Sequence, residues 1–339
     1  MQQPVAIAQD LVLLGGGHAH VHVLKRFGMH PVPGARLTLV ARDVDTPYSG
    51  MLPGYIAGHY PFAACHIDLG RLARFAGARL VHDEAIGLDR ARCHVLCRAH
   101  PPIRYDLLSI DIGATPRAEE VPGAARHAIM VKPIDRFAER WEALLERARG
   151  LRHLRLAIVG GGAGGVELAL AAEYRLRRLI GDALAVTLVT RAALLPSHNR
   201  RVARRFARIL TERGIAWAAE SAVAHVEPHL LVCADGRRIA FDEALWATEA
   251  GAAPWLSETG LPLDPGGFIA VDETLRSLGD RQIFAAGDIA AIRGHPREKA
   301  GVFAVRAGPP LAANLRRALS SRRLRRAVPQ RRALALIGT

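Results

Sequence analysis

Two glycine runs hold the residues whose types and spacing could do chemistry. "LRLAIVGGGAGGVELALAAEYRL" (154–176) sets Gly160, Gly162 and Gly165 in the spacing G-x-G-x-x-G, between an apolar run and a long stretch rich in Ala and Leu. The first glycine permits a tight turn, the second lets the backbone approach a pyrophosphate, and the third lets helix and strand pack closely. The helix that follows offers unpaired N–H groups and the positive end of its dipole. "AVTLVT" (185–190) supplies the next strand, so the motif has the context it needs. "LVLLGGGHAH" (11–20) repeats the arrangement with one change: Gly15 and Gly17 hold the first two places and His20 takes the third. "RLTLVARD" (36–43) follows as the next strand. This first run reads as a modified dinucleotide turn whose helix stands slightly farther from its strand.

Other chemistries find less support. His18 and His22 share a helical face, but no carboxylate or cysteine stands beside them at ligand spacing, so no metal site is expected. Cys65, Cys93, Cys97 and Cys233 form no CxxC pair. On a strand "CHVLC" (93–97), the two end thiols would share a face about 13 Å apart, too far to bridge. The net charge of +14 comes from 46 basic residues, of which only Lys25, Lys132 and Lys299 are lysine. Nucleic-acid binding wants basic residues interleaved with aromatics. With 5% aromatic residues none is expected. The basic residues concentrate in "NLRRALSSRRLRRAVPQRR" (314–332), read as a solvated helix face or as a patch that rests on anionic lipid.

Positioning two such turns takes an α/β chain, and 339 residues with 50% apolar content suffice for two domains. No apolar stretch approaches the ~20 residues of a membrane-spanning helix. The N-terminus lacks a basic signal-peptide region, so a cytoplasmic location is expected.

Further stretches carry a family resemblance: "GGGHAH" (15–20), "DTPYSGMLPGYIAGHY" (45–60), "YDLLSIDIGATP" (105–116), "VGGGAGGVELA" (159–169), "IFAAGDIA" (283–290) and "KAGVFAVRAGPPLAANL" (299–315). Together they resemble the FAD-dependent pyridine nucleotide-disulfide oxidoreductase superfamily, near the type II NADH dehydrogenases. The resemblance is strongest to the dehydrogenase-like module associated with selenide, water dikinase. It implies two Rossmann-like domains, an NAD(P)H domain (about 121–259) inserted into a discontinuous FAD domain (about 1–120 and 260–339).

The resemblance also implies roles. Gly15, Gly17, His18 and Ala19 would face the FAD pyrophosphate, with Arg42 at the end of the next strand. Ser49, Gly50 and Met51 would line the isoalloxazine, and Gly113, Gly287 and Asp288 would complete the FAD site. Gly160, Gly162, Gly164, Gly165, Glu167, Thr190 and Arg191 would serve NAD(P)H, and a helix starting near Gly301 would point its N-terminus at the flavin pyrimidine. The expected reaction passes hydride from nicotinamide to flavin and electrons onward to a quinone or a small selenium or sulfur species. No side chain need act as acid or base; Lys299 and Glu167 are the candidates for a closer part. Rival expectations are a sulfide- or selenide-oxidising flavoprotein using Cys65, and a non-catalytic nucleotide-sensing partner of selenide, water dikinase. Neither second strand ends in the acid that usually meets a ribose hydroxyl; Thr190-Arg191 favours a 2′-phosphate slightly. Peripheral membrane contact through the basic C-terminal segment is a further expectation.

Overall fold

The structure is a computed structural model and describes residues 6–116, 121–132, 134–248, 250–330 and 337–338. Each glycine turn joins a buried strand to a helix. β1 (Gln9–Leu14) leads into α1 (His18–Met29) and β2 (Ala35–Ala41). β3 (Leu154–Val159) leads into α2 (Ala163–Ile180) and β4 (Leu184–Val189). The strands are almost continuously apolar because both faces are covered, as parallel sheets require. The last helix, α3 (Gly301–Leu319), starts where the sequence suggested.

The chain folds into two compact units. Among the described residues, the first comprises 6–48, 66–114 and 251–330. Its sheet is parallel, in the order Ile283–Ala285, Leu107–Ile110, β1, β2, Arg79–His82. Leu11, Leu13, Leu39, Leu108 and Phe284 pack its interior with Leu24 of α1 and Leu311 of α3. Gly308 lies so close to α1 that a Cβ there would meet the His22 Cβ at 2.5 Å, and the Pro309-Pro310 pair follows inside the helix.

Among the described residues, the second unit comprises 49–65, 115–116, 121–132, 134–248, 250 and 337–338. Its parallel order is Ile129–Met130, Glu243–Trp246, β3, β4, Ile215–Ala218. Leu156, Ile158, Val166, Leu170 and Leu188 fill its core with Phe137 and Trp141. Each unit also carries a three-stranded antiparallel sheet, Ala85–Asp89 with His94–Cys97 and Ile103–Arg104 in the first, and Val223–Glu227 with Leu230–Cys233 and Arg238–Ala240 in the second.

Two details differ from the sequence expectations. Cys93 sits at φ +55° just ahead of the His94–Cys97 strand, so it is a turn residue and does not share that strand with Cys97. Residues 49–65, expected with the first domain, pack within the second unit. There the Tyr55 hydroxyl donates to Glu142 at 2.7 Å, and Leu52, Tyr55 and Ile56 join its core.

Candidate functional site: two glycine turns at helix N-termini

The first turn runs from Leu14 to His18, with Gly17 capping α1 and no side-chain cap bond. Gly15 takes φ +93°, and a Cβ there would overlap the Asp111 carbonyl, to which Gly17 donates its N–H at 3.0 Å. A Cβ on Gly17 or on Gly287 would overlap the Asp111 carboxylate. That carboxylate therefore lies between two glycines, over the start of α1. It accepts the N–H groups of Ala19 at 2.8 Å and His20 at 3.1 Å. Asp111 is 1% exposed. Burial, opposed by the two amide bonds and aided by the charge of Asp288, pushes its carboxyl up to about 7.

Sequence reasoning missed Asp111. Its signal was an acid inside the apolar run "LLSIDIG", where a buried carboxylate needs donors. The consequence falls on Ala19, whose amide is taken up by Asp111 instead of being free for a phosphate.

His20 shows how the third glycine is replaced. In the second turn Gly165 lies so near Gly160 that a Cβ would overlap the Gly160 carbonyl oxygen. In the first, the corresponding carbonyl of Gly15 is met by a ring: His20 Nδ1 lies 2.7 Å from it. A carbonyl can only accept, so Nδ1 carries the proton and Nε2 accepts from the Ser109 hydroxyl at 2.8 Å. Burial, partly offset by the Gly15 bond, brings the imidazole down to about 4. A hydrogen bond thus stands in for close backbone approach.

The remaining first-unit residues fall around this turn. His18 meets Tyr48 edge-on at 5.1 Å. Past β2, Arg42 donates to Asp43 through Nε at 2.9 Å and Nη2 at 2.8 Å, an exposed pair. Gly113 turns at φ +72° and Gly287 at φ +69°, the latter opening the short helical turn that holds Asp288. Lys299 donates to the Ala290 carbonyl at 2.8 Å, with its ammonium 3.8 Å from the centre of the Phe268 ring. Burial lowers the ammonium's pKa against the pull of Asp264 and Asp288.

The second turn is more open. Gly160 takes φ +142°, and a Cβ on Gly161 would overlap the Thr190 hydroxyl. Gly162 caps α2 without a side-chain bond, and a Cβ on Gly162 or Gly164 would meet nothing within 4 Å. No acid lies in the first helical turn. An open helix end of this kind can receive an anion. Thr190 is buried and donates to the Ala192 carbonyl at 2.8 Å, while Arg191 is exposed. Glu167, its pKa raised by burial, accepts the Gly338 N–H at 2.7 Å. Ser49, Gly50 and Met51 form one helical turn of this same unit.

All four cysteines are free. Cys65 is buried, its sulfur 3.9 Å from the carbonyls of Met51 and Pro61, and burial raises its thiol pKa. Among the described residues no three His, Cys, Asp or Glu side chains gather where a metal could sit. No helix among them is long and apolar enough to cross a membrane.

Comparison with known proteins agrees with this geometry. An NADH dehydrogenase-like protein of Mycobacterium tuberculosis is 27% identical over 244 residues, 68% of this chain and 60% of that one. A type II NADH:quinone oxidoreductase of Haemophilus influenzae is 32% identical over 149 residues, 41% of this chain and 34% of that one. The chain thus spans less than two thirds of the length of either relative. The solved structure of NDH2 from Plasmodium falciparum in complex with NADH matches with TM-score 0.75 at 18% identity, over 85% of this chain and 65% of that one, a likeness of fold. The model of the pyridine nucleotide-disulphide oxidoreductase family matches residues 9–314. With both glycine turns and both parallel sheets inside that span, the chain belongs to the pyridine nucleotide-disulphide oxidoreductase family.

Proposed function

We propose that the chain is an FAD-dependent NAD(P)H dehydrogenase that passes electrons to a quinone or another small acceptor. The observation that carries this reading is the pair of strand–turn–helix sites in one chain, each with glycines whose Cβ positions are blocked by backbone or side chain. In this reading the first unit holds FAD and the second NAD(P)H. Bound flavin and nicotinamide supply the hydride chemistry; the protein binds and orients them.

At the second turn, Gly160 to Gly165 and the open end of α2 would hold the NAD(P)H pyrophosphate. The exposed Arg191, following Thr190 where the sequence carries no acid, supports acceptance of a 2′-phosphate. At the first turn, Gly15, Gly17 and His18 would meet the FAD pyrophosphate, while Asp111 keeps the Ala19 and His20 amides. Lys299, tied to Ala290 and Phe268, sits one residue ahead of the Ala300 cap of α3 and would bring positive charge to the flavin-facing segment.

A sulfide- or selenide-oxidising role would need a reactive thiol. The buried Cys65 with its raised pKa supports the dehydrogenase instead. Association with selenide, water dikinase rests on the sequence resemblance, and a pull-down with that enzyme tests it.

The deciding experiment is anaerobic titration of the flavin-loaded protein with NADH and then NADPH, followed in the visible spectrum. Bleaching by either donor is the expected result, with Cys65→Ser behaving as wild type. Flavin that binds and stays oxidised overturns the reading.

A further inference from the structure

The arginines of this protein divide into two populations. Most that are fixed in place face carboxylates: Arg36 with Asp10 at 2.5 Å, Arg90 with Asp280 at 3.2 Å, Arg155 with Asp242 at 2.7 Å, and Arg213 with Glu173 at 3.3 Å. Those along α1 and the end of α3 do not. Here a groove of about 780 Å³ lies against α1 and α3, lined also by Ser320, Arg322 and Arg325. Its cations are Lys25, Arg26, Arg316, Arg317, Arg322 and Arg325, and Met29, Val32, Pro309 and Ala312 are among its apolar lining residues.

The sequence explains the lack of counter-charge. Residues 16–42 and 299–330 contain no Asp or Glu, so neither helix nor the segment after α3 can neutralise the groove. Where these arginines bond within the described structure, they bond to carbonyls: Arg316 to His30 and Arg317 to Arg323. Arg316 also lies over the Phe27 ring at 5.4 Å. Burial and the nearby Arg26 hold its guanidinium below the ordinary value, and His22 at the groove wall is lowered by burial, Lys25 and Arg26.

The groove is also built, not a loose tail. Asn314, 1% exposed, donates to the carbonyls of Thr274 at 2.9 Å and Arg325 at 2.8 Å and accepts the Arg325 N–H at 2.9 Å. Ala327 donates to the Glu273 carbonyl at 2.8 Å. These bonds fold the backbone of residues 322–327 back beside α3; within it Arg326 pairs with Glu273 at 3.7 Å, while Arg322 and Arg325 line the groove. Like charges held together without a partner lower stability, and a multivalent anion relieves that cost.

We propose that the α1–α3 groove is a binding site for a small polyphosphate anion, separate from both glycine turns. A groove lined by six cations suits a compact multivalent phosphate, since Arg can pair with phosphate oxygens two at a time.

The test is isothermal titration of the chain, saturated with FAD and NAD⁺, with inorganic tripolyphosphate at about 0.15 M salt. Saturable one-to-one binding is expected, weakened about tenfold or more in Arg317→Ser/Arg322→Ser. A matched loss of charge on a helix of the second unit, Arg204→Ser/Arg205→Ser, is expected to leave binding unchanged. Equal losses in both double variants, or no saturable binding by wild type, overturn the proposal in favour of diffuse charge. Sedimentation with vesicles containing phosphatidylglycerol, without tripolyphosphate binding, overturns it in favour of a lipid surface. The flavin spectrum is recorded in each sample, so failure of the FAD site is seen separately from failure of the groove.

Discussion

Asp111 and His20 titrate in opposite senses behind the first glycine turn, and their effects on stability cancel over part of the pH range. Asp111 goes from 3.8 to about 7 on folding, so the stability it contributes is present at low pH and is lost as pH rises toward 7. His20 goes from 6.5 to about 4, so its contribution is present above 6.5 and is lost as pH falls toward 4. Between those limits the folded state carries one proton on Asp111 and the unfolded state one on His20, and the slope from the pair is zero. Removing either member exposes the other. Asp111→Asn is expected to give stability that rises from pH 4 to 6.5, and His20→Gln stability that falls over the same range. Each slope approaches about 1.4 kcal/mol per pH unit. Urea unfolding across this range at fixed flavin concentration measures both; parallel slopes in the two variants would show that the groups do not titrate as assigned. At the other turn, Arg191→Ala is expected to raise KM for NADPH several-fold more than KM for NADH. Equal changes would remove Arg191 from 2′-phosphate recognition.

The two strand–turn–helix elements were legible in the sequence because their requirement is steric and local. A chain that must pass φ +93° at Gly15 or +142° at Gly160, with backbone pressed against the missing Cβ, leaves glycine as its mark. Within one motif the glycines nevertheless differ. Gly165→Ala would drive a methyl into the Gly160 carbonyl and is expected to abolish NAD(P)H-dependent bleaching while destabilising the second unit by roughly 1–3 kcal/mol. Gly164→Ala enters open space and is expected to leave stability within about 0.5 kcal/mol of wild type. A thermal melt and a reductive titration of the two variants decide this, and a stable Gly165→Ala protein would contradict the packing described. What the sequence hid was non-local. Asp111 finds its donors 91 and 92 residues away, at the start of α1. Tyr55 reaches Glu142 across 87 residues, which ties 49–65 into the second unit. No local pattern encodes such pairings; the isolated acid in "LLSIDIG" was the nearest thing to a signal.

At the scale of the whole molecule, each unit has its own parallel sheet and its own core, and neither core draws on the other's strands. Separate cores make separate cooperative units, and a chain of this kind departs from two-state unfolding. Two calorimetric components are therefore expected. Leu108 and Leu156 are 0% and 1% exposed, each on an interior strand of one sheet, and either Leu→Ala change costs about 2–5 kcal/mol. Leu108→Ala is expected to lower the component at which flavin fluorescence is released, and Leu156→Ala the component that NAD⁺ raises by binding the folded state. This assignment also tests the division of cofactors between the units without any turnover measurement. Flavin release that follows Leu156→Ala would exchange the proposed roles of the two glycine turns. A single transition that moves with both variants would mean that bound cofactors join the two cores into one cooperative block. In that case the cofactors would be structural members of the fold as well as carriers of hydride, and stripping the flavin should split the transition in two.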